Sequence, residues 1–403
     1  MTVLEVAPDS DAADARGVGR VVISARGAGR WAGGHPWVYR TDVYAEPRSE
    51  PGLVTVTDRR GRHLGQALYS PQSEIRLRFL TRGRERIDAE WWRAGVAAAL
   101  ARRAVGADTA YRAVYAEGDG LPSLIADRYG PYVVLQLLSA GLERLRSDVV
   151  AGVQEALAPA GILLRNDAAI RRHERLPLEV ALASGSVPET IEALEHGLRY
   201  LVAPWTGQKT GGFLDQRDNR ALVEAHAALG GRALDLFAYH GSFALHLARR
   251  AGRVLAVDSS VEALARGGEN AALNGFTNIA WREANAFDLL RQFERQGERF
   301  DTIVLDPPAF AKTKASLPRA LAGYKEINLR AMRLLGPGGV LFTCSCSYHV
   351  SRAAFSEVLG AAAHDAGRRL RVVAWTGAAA DHPEVLNVPE TAYLKGALLT
   401  AMD

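Results

Sequence analysis

Asp306-Pro307-Pro308-Ala309-Phe310 and, forty residues on, Ser345-Cys346-Ser347 hold the residue types that could do chemistry on a planar ring. Pro307 and Pro308 fix a rigid turn without spare backbone donors, so they can floor a flat group, Phe310 can stack on it, and the Asp306 carboxylate can hydrogen-bond an amino edge. Cys346 offers a nucleophile. A thiol at a strand tip, ahead of a helix expected from about Ser351, is expected to gain thiolate character from the helix N-terminus, and the thiolate is the reactive form. Each stretch follows a run, 300–305 and 339–343, that reads as a buried parallel strand. Both therefore belong where open α/β sheets bind ligands.

The elements that must position them alternate from about residue 190. Strands are expected at 233–237, 253–258, 278–282, 300–305 and 339–343 with helices between them, a doubly wound parallel sheet of Rossmann-like type. The last runs, 371–375 and 393–399, have no helix between them and should pair antiparallel at one edge. The first strand leads through Asp235, Phe237 and Tyr239 to Gly241, and the second ends in Asp258. A glycine at such a turn permits close approach of a cofactor, and an acid capping the second strand suits the two hydroxyls of a ribose. No Gly-x-Gly-x-x-Gly is present, which weighs against a nicotinamide dinucleotide. One glycine with Asp235 upstream better suits S-adenosylmethionine, whose ammonium Asp235, or a water on it, could meet.

Two smaller units precede this α/β sheet. Residues 16–86 alternate short β-rich runs with Gly and Pro clusters, the pattern of a small β-barrel, and their Gly-rich stretch 33–39 carries Trp37 and Tyr39, which could stack on bases or pack internally. Residues 87–188 read as an α+β unit: a helix at 89–105, a hairpin over 123–137 turning at Gly130-Pro131, a helix at 143–157 and a strand at 161–165. The remainder, 189–403, is expected to form the third domain and to carry the chemistry.

Composition narrows the class. The chain has 403 residues, 48% hydrophobic and 23% charged, enough for several full cores. No segment is apolar enough to cross a membrane, and the start, with Asp9, Asp11 and Asp14, does not resemble a signal peptide, so a cytoplasmic location is the expectation. Two cysteines, Cys344 and Cys346, exclude a disulfide framework, and no metal site is expected because suitably spaced partners are missing. Cys344 should be core, sharing a strand face with Cys346. The net charge of +4 is unevenly spread: residues 16–86 hold fourteen arginines against six acids, a local +8. A positive unit beside a neutral one suggests a polyanion held by the first while chemistry proceeds on the second. Arginine is also 44 of the 49 basic residues, so some of these are expected to form solvated faces.

The segment Gln208 to Arg220, the turn at Gly241, Asp306-Pro307-Pro308 with Phe310, the stretch Gly323 to Asn328 and Ser345-Cys346-Ser347 resemble the bacterial 23S ribosomal RNA 5-methylcytosine methyltransferases of the large-subunit methyltransferase I family. The resemblance covers nearly the whole chain. Arg30 to Tyr39 is similar to the start of that family's PUA domain, and Glu117 to Pro122 resembles its central domain. It implies that Phe213, Gln216 and Arg217 help enclose S-adenosylmethionine. His240-Gly241-Ser242 stands where the family usually has Thr-Gly-Gly, and Ala284-Asn285 where an acidic pair is common; Asn285 can still hydrogen-bond adenine.

The implied reaction has a physical logic. Carbon 5 of cytosine is a poor nucleophile, so Cys346 would add at carbon 6 and create an enamine that accepts a methyl group, while Asp306 holds the ring. His349 is the nearest candidate along the chain for the base that removes the carbon-5 proton. Lys312 and Lys314 follow the proline turn and could meet RNA phosphate. Ribosomal RNA or an assembling large subunit would be the partner, without a membrane, and a homodimer is compatible. Two other classes remain open: methylation of a guanine or adenine nitrogen, or of a glutamine amide, which needs no thiol, and a non-catalytic RNA-binding protein.

Overall fold

Val, Leu and Ala runs that alternate between two faces build the C-terminal sheet. In spatial order its strands are Ile279–Glu283, Arg253–Asp258, Arg232–Leu236, Phe300–Leu305, Leu335–Ser345, Lys395–Ala401 and Leu370–Thr376. The first five are parallel. Lys395–Ala401 inserts antiparallel between Leu335–Ser345 and Leu370–Thr376, so only the latter forms the edge. Burial explains this arrangement: Lys395–Ala401 is almost wholly buried, as an interior strand must be, whereas Leu370–Thr376 is largely exposed. One face, with Leu234, Leu236, Ile303, Leu305 and Leu341, packs on helices Ala286–Gln296, Leu317–Leu334 and Arg352–Ala366. The other, with Ala233, Val254, Val304 and Phe342, packs on helices Arg217–His226 and Ser242–Ala248. The order reverses between Arg232–Leu236 and Phe300–Leu305, which opens a crevice at their carboxyl ends.

This computed structural model describes residues 19–47, 50–311 and 313–402. Lys312, Asp9, Asp11 and Asp14, named above, and two of the fourteen arginines, Arg16 and Arg48, lie outside the described residues.

The middle unit is a five-stranded sheet ordered Glu179–Gly185, Gly161–Asn166, Tyr132–Leu137, Leu124–Tyr129 and Ala110–Tyr115. Helices Ala89–Leu100 and Arg146–Leu157 cover one face through Trp92, Val96, Val149 and Val153. Both are shorter than the periodicity predicts. After Leu100 the chain turns so that Arg103 reaches the Arg112 carbonyl and the buried Asp119, and before Arg146 a separate turn, Ala140–Glu143, is capped by Ser139. The hairpin Ile191–Glu195 with Leu198–Val202, where alternation of strand and helix is expected, joins this unit to the catalytic sheet.

In the N-terminal unit the strands Trp37–Tyr39, Ile75–Thr81, His63–Tyr69, Gly52–Asp58, Gly19–Ile23 and Val43–Ala45 form one sheet in that order. A helix absent from the sequence reading, Ala25–Ala32, is started by Ser24, whose hydroxyl accepts the Gly27 N–H at 3.1 Å, and its Trp31 stacks on Phe79. Trp37 and Tyr39 serve packing: the Trp37 Nε1–H donates to Glu117 of the middle unit at 2.8 Å, and the Arg30 guanidinium lies over the Tyr39 ring. Several of the arginines of this unit are likewise paired with acids. Arg26 and Arg30 share Asp42, Arg62 pairs with Asp58, and the buried Arg76 and Arg78 meet Glu46 and Glu174. Among the described residues no helix is long and apolar enough to cross a membrane.

Candidate active site

The crevice at the switch point widens into a cleft of about 1060 Å³ between the catalytic sheet and the middle unit. Phe213, Gln216, Phe237, Tyr239, Asp258, Asp306, Pro307, Pro308 and Cys346 line it. Arg217, Asp235, Gly241, Asn285, Phe310 and His349 do not.

The proline turn and the cysteine loop face each other across the ends of adjacent strands. Asp306 Oδ1 accepts hydrogen bonds from Gln216 Nε2 and Cys344 Sγ, each at 2.9 Å. Burial raises the Asp306 pKa, with Asp215 adding to the rise and the Cys344 thiol opposing it. The Ser347 hydroxyl ties the loops together, accepting the Ala311 N–H at 3.1 Å and meeting Tyr324 Oη at 3.0 Å. Phe310 belongs to this support: its ring packs 4.6 Å from Tyr324 and 5.9 Å from Phe287, which corrects its expected place as a stacking platform in the cleft.

Cys346 is half-buried, with Sγ 3.9 Å from the Pro307 carbonyl. Burial, then Asp306, pushes its thiol up to about 11, against the pull of Lys209. The expected activation by a helix N-terminus is thus overturned. The helix starts only at Arg352, its Ser351 cap is occupied by the Ala354 N–H, and the dipole's effect fades within one turn. Cys344 is fully buried, as expected, yet its Sγ holds the Asp306 carboxylate.

The turn after the first strand is strained. Phe237 and Tyr239 have φ of +65° and +50°, an arrangement costing about 1–3 kcal/mol per residue that concentrates at functional sites. The Asp258 carboxylate secures it, accepting the Tyr239 N–H at 2.8 Å and the Ser260 N–H at 2.9 Å. Gly241, with φ +81°, is required for another reason than cofactor approach: a Cβ there would lie 2.3 Å from the Trp281 ring. Asp235 is fully buried and does not line the cleft. Neither of its oxygens is hydrogen-bonded, and burial raises its pKa well above the usual carboxylate range. Asn285 is an exposed helix cap outside the cleft, whose Oδ1 accepts the Phe287 and Asp288 N–H groups at 3.0 and 3.3 Å. Arg217 is bound to Asp218 and Asp381 at 3.0 and 3.1 Å. It braces the segment ahead of the first strand and does not face the cleft.

Several lining residues escaped the sequence reading. Asp215 Oδ2 accepts Lys209 Nζ at 2.7 Å and Tyr393 Oη at 2.5 Å, whereas its buried Oδ1 has no partner. Burial opposes ionisation, but Lys209 and His382 outweigh it and hold the carboxyl well below the usual range. Arg112, Gln136 and Arg165 come from the middle sheet. Arg165 fixes the loop leading to Lys209 through the Pro204 and Gly207 carbonyls at 2.6 and 2.9 Å. The only signal for Asp215 was its position between Phe213 and Gln216; the middle-unit residues gave none, because only tertiary folding brings them here.

An ionised, unpartnered carboxylate oxygen in the cleft suits an ammonium group, and Asp258 suits a ribose, so the cleft fits a nucleoside carrying an amino acid. Among the described residues no cluster of acids, histidines or cysteines could hold a metal. A parallel sheet of reversed order, closed by one antiparallel strand and bearing these acids at the crevice, defines a methyltransferase of Rossmann-like type that uses S-adenosylmethionine. A family profile described as S-adenosylmethionine-dependent methyltransferase matches residues 138–399, and one described as a PUA-like domain matches residues 21–82. The chain belongs to the ribosomal RNA large subunit methyltransferase I family. The protein of that name from Klebsiella pneumoniae (strain 342) is 39% identical over 373 residues, covering 90% of this chain and 93% of its own. Its counterpart in Tolumonas auensis is 39% identical over 382 residues, covering 91% and 96%. A methyltransferase structure solved in complex with SAH has the same fold, with a TM-score of 0.81 at 19% identity over 94% of this chain and 99% of its own. An S-adenosylmethionine-dependent methyltransferase from Streptococcus mutans superposes with a TM-score of 0.80, also at 19% identity, over 94% and 99%.

Proposed function

We propose that this enzyme methylates carbon 5 of a cytosine in large-subunit ribosomal RNA, 23S in bacteria, through a covalent adduct with Cys346. The observation that carries the reading is the thiol itself, which lines the cofactor cleft beside Pro307 and across from Asp306. Methylation of a purine nitrogen has no use for it.

S-adenosylmethionine supplies an electrophilic methyl carbon when bound, with Asp258, Tyr239, Phe237, Phe213 and the Asp215 oxygen as its holders. Cys346 loses its proton and forms the bond from sulfur to carbon 6 of the ring. Asp306, whose ionisation burial opposes, would in its protonated form donate a hydrogen bond to ring nitrogen 3 and accept one from the amino group, so the electrons displaced by sulfur are stabilised as they arrive. Carbon 5 then has enamine character and can take the methyl group. A base from solvent takes the carbon-5 proton, the C–H pair forms the C5–C6 double bond, and sulfur leaves with the S–C6 pair, restoring the aromatic ring and the Cys346 thiolate. Pro307 and Pro308 form the floor, and Lys312 and Lys314 are candidates for RNA phosphate. The partner is ribosomal RNA or an assembling large subunit, which places the reaction in the cytoplasm.

The test is methyl transfer from tritiated S-adenosylmethionine to undermodified ribosomal RNA by wild type and Cys346→Ala, with the labelled nucleoside identified. Label in 5-methylcytosine that disappears with the thiol supports the covalent route. Label in a purine that survives the substitution replaces it with nitrogen methylation.

A further inference from the structure

Lys395 begins the strand that inserts next to Leu335–Ser345, and it pairs in register with Ser345. It is only 5% exposed, and its Nζ donates to the carbonyls of Ser347 at 2.7 Å and Tyr393 at 2.6 Å. Residues 345 and 347 flank Cys346, so the Lys395 backbone is paired with the strand on one side of the thiol and its ammonium is bound to the backbone carbonyl on the other. Lys209 and Lys325 have carboxylate partners, Asp215 and Asp365, each at 2.7 Å. Among the described residues Lys395 has none. A buried cation without a counter-ion costs several kcal/mol, and an apolar side chain of the same length would fill the space without that cost.

We propose that Lys395 is a positioning residue whose ammonium is the standing counter-charge for the Cys346 thiolate. The inference rests on the reading of Cys346 as the nucleophile. When the S–H bond breaks, the proton leaves to a base in solvent and the electron pair stays on sulfur, where the ammonium offsets it. When the adduct collapses the S–C6 pair returns to sulfur and meets the same charge.

The surroundings leave this task to Lys395. Asp306 and Asp215 disfavour the thiolate, and Lys209, which favours it, is already neutralised by Asp215. Tyr324 lies on the same side, and its own ionisation is opposed by Cys346. Burial lowers Lys395 to about 8, the two cysteines push it back up, and Arg352 adds to the lowering. Cys344 is set apart from Cys346 by its hydrogen bond, since its thiol donates its proton to the Asp306 carboxylate, and burial and Asp306 oppose its ionisation.

The experiment follows the rate of Cys346 alkylation by iodoacetamide against pH, without RNA or cofactor, with the modified cysteine located by mass spectrometry. Lys395→Met should slow alkylation at neutral pH, where the ammonium still carries its charge, roughly tenfold, whereas Lys395→Arg should stay near wild type. Lys395→Gln, which keeps a donor to the carbonyls without the charge, is run alongside and should behave like Lys395→Met; it carries the comparison if the methionine variant does not fold. An unchanged alkylation rate at neutral pH in a folded, uncharged variant overturns the proposal. The two readings separate cleanly. If Cys346→Ala still transfers methyl groups, the nucleophile reading falls whatever the thiol profile does; if it is inactive and the profile does not move, only the role of Lys395 falls.

Discussion

The Cys344 thiol and the Asp306 carboxylate are joined by a 2.9 Å hydrogen bond, with sulfur donating to the same Oδ1 that accepts Gln216 Nε2. A cysteine at the end of a core strand thereby acts on the acid of the neighbouring strand. The bond favours the ionised form of Asp306 against the effect of burial.

Cys344→Val should therefore raise the Asp306 pKa further. If the protonated carboxyl assists addition, the alkaline fall in kcat/KM that Asp306 governs moves to higher pH in Cys344→Val, while Cys344→Ser, which retains a donor, stays close to wild type. A pH series with both variants measures this. A fall that stays in place in Cys344→Val would separate Asp306 ionisation from the rate.

Gly241→Ala should be destabilised by about 3 kcal/mol or more, because its Cβ meets Trp281 at 2.3 Å and the backbone has φ +81°. Urea unfolding gives the number. Trp281→Leu in the same chain should recover the steric part and leave the backbone strain, so the double variant should fall between Gly241→Ala and wild type. A double variant no better than Gly241→Ala would assign the whole cost to φ.

That pair also marks how far the site was legible in the sequence. The runs 253–258 and 300–305 announce themselves, since each is a largely apolar strand, the first ending in an acid and the second followed at once by one, and Asp258 and Asp306 do line the cleft. The proline turn and Cys346 follow from the same logic. Gly241 was visible as a turn glycine but its reason was not, because Trp281 comes from a strand forty residues later. Phe310 and Asn285 have residue types suited to a ligand and were claimed by nearer partners, an aromatic cluster and a helix end. Asp215 and Arg112 carried no periodic or motif signal of their own. Their place depends on how the middle sheet docks, which only long-range packing decides.

Asp235 offers a test of linkage. Its native pKa is raised by burial and by nearby Asp306, so the folded protein keeps a proton that the unfolded chain releases above about pH 4. The associated stability is present below the unfolded pKa and is lost as pH rises through the folded one. Asp235→Asn, which mimics the protonated acid, should melt a few degrees higher than wild type at pH 7, with the difference shrinking as the pH falls toward 4. Because the side chain lies outside the cleft, the Kd for S-adenosylmethionine, read by calorimetry, should not change. A lower melting temperature with weakened binding would restore the sequence expectation that this carboxylate meets the cofactor.

The docking of the middle unit rests on a buried chain of polar groups. The Thr210 hydroxyl donates to Asp127 Oδ2 at 2.5 Å and meets Tyr129 Oη at 3.1 Å, and Arg112 grips both oxygens of Asp127 at 2.7 and 2.8 Å. The Arg112 N–H and Arg217 then meet on Asp381 Oδ2, at 2.9 and 3.1 Å. Asp127→Ala strands the Arg112 guanidinium in the interface and should cost about 3–5 kcal/mol in urea unfolding. Thr210→Val removes one donor and leaves the Tyr129 hydroxyl without that partner, for about 1–3 kcal/mol. Arg112 also lines the cleft, so Asp127→Ala should weaken cofactor binding beyond what its stability loss explains, whereas Thr210→Val should alter stability more than binding. Equal effects of the two substitutions on both measurements would mean that the chain acts only as a structural brace and that Arg112 has no bearing on the cofactor.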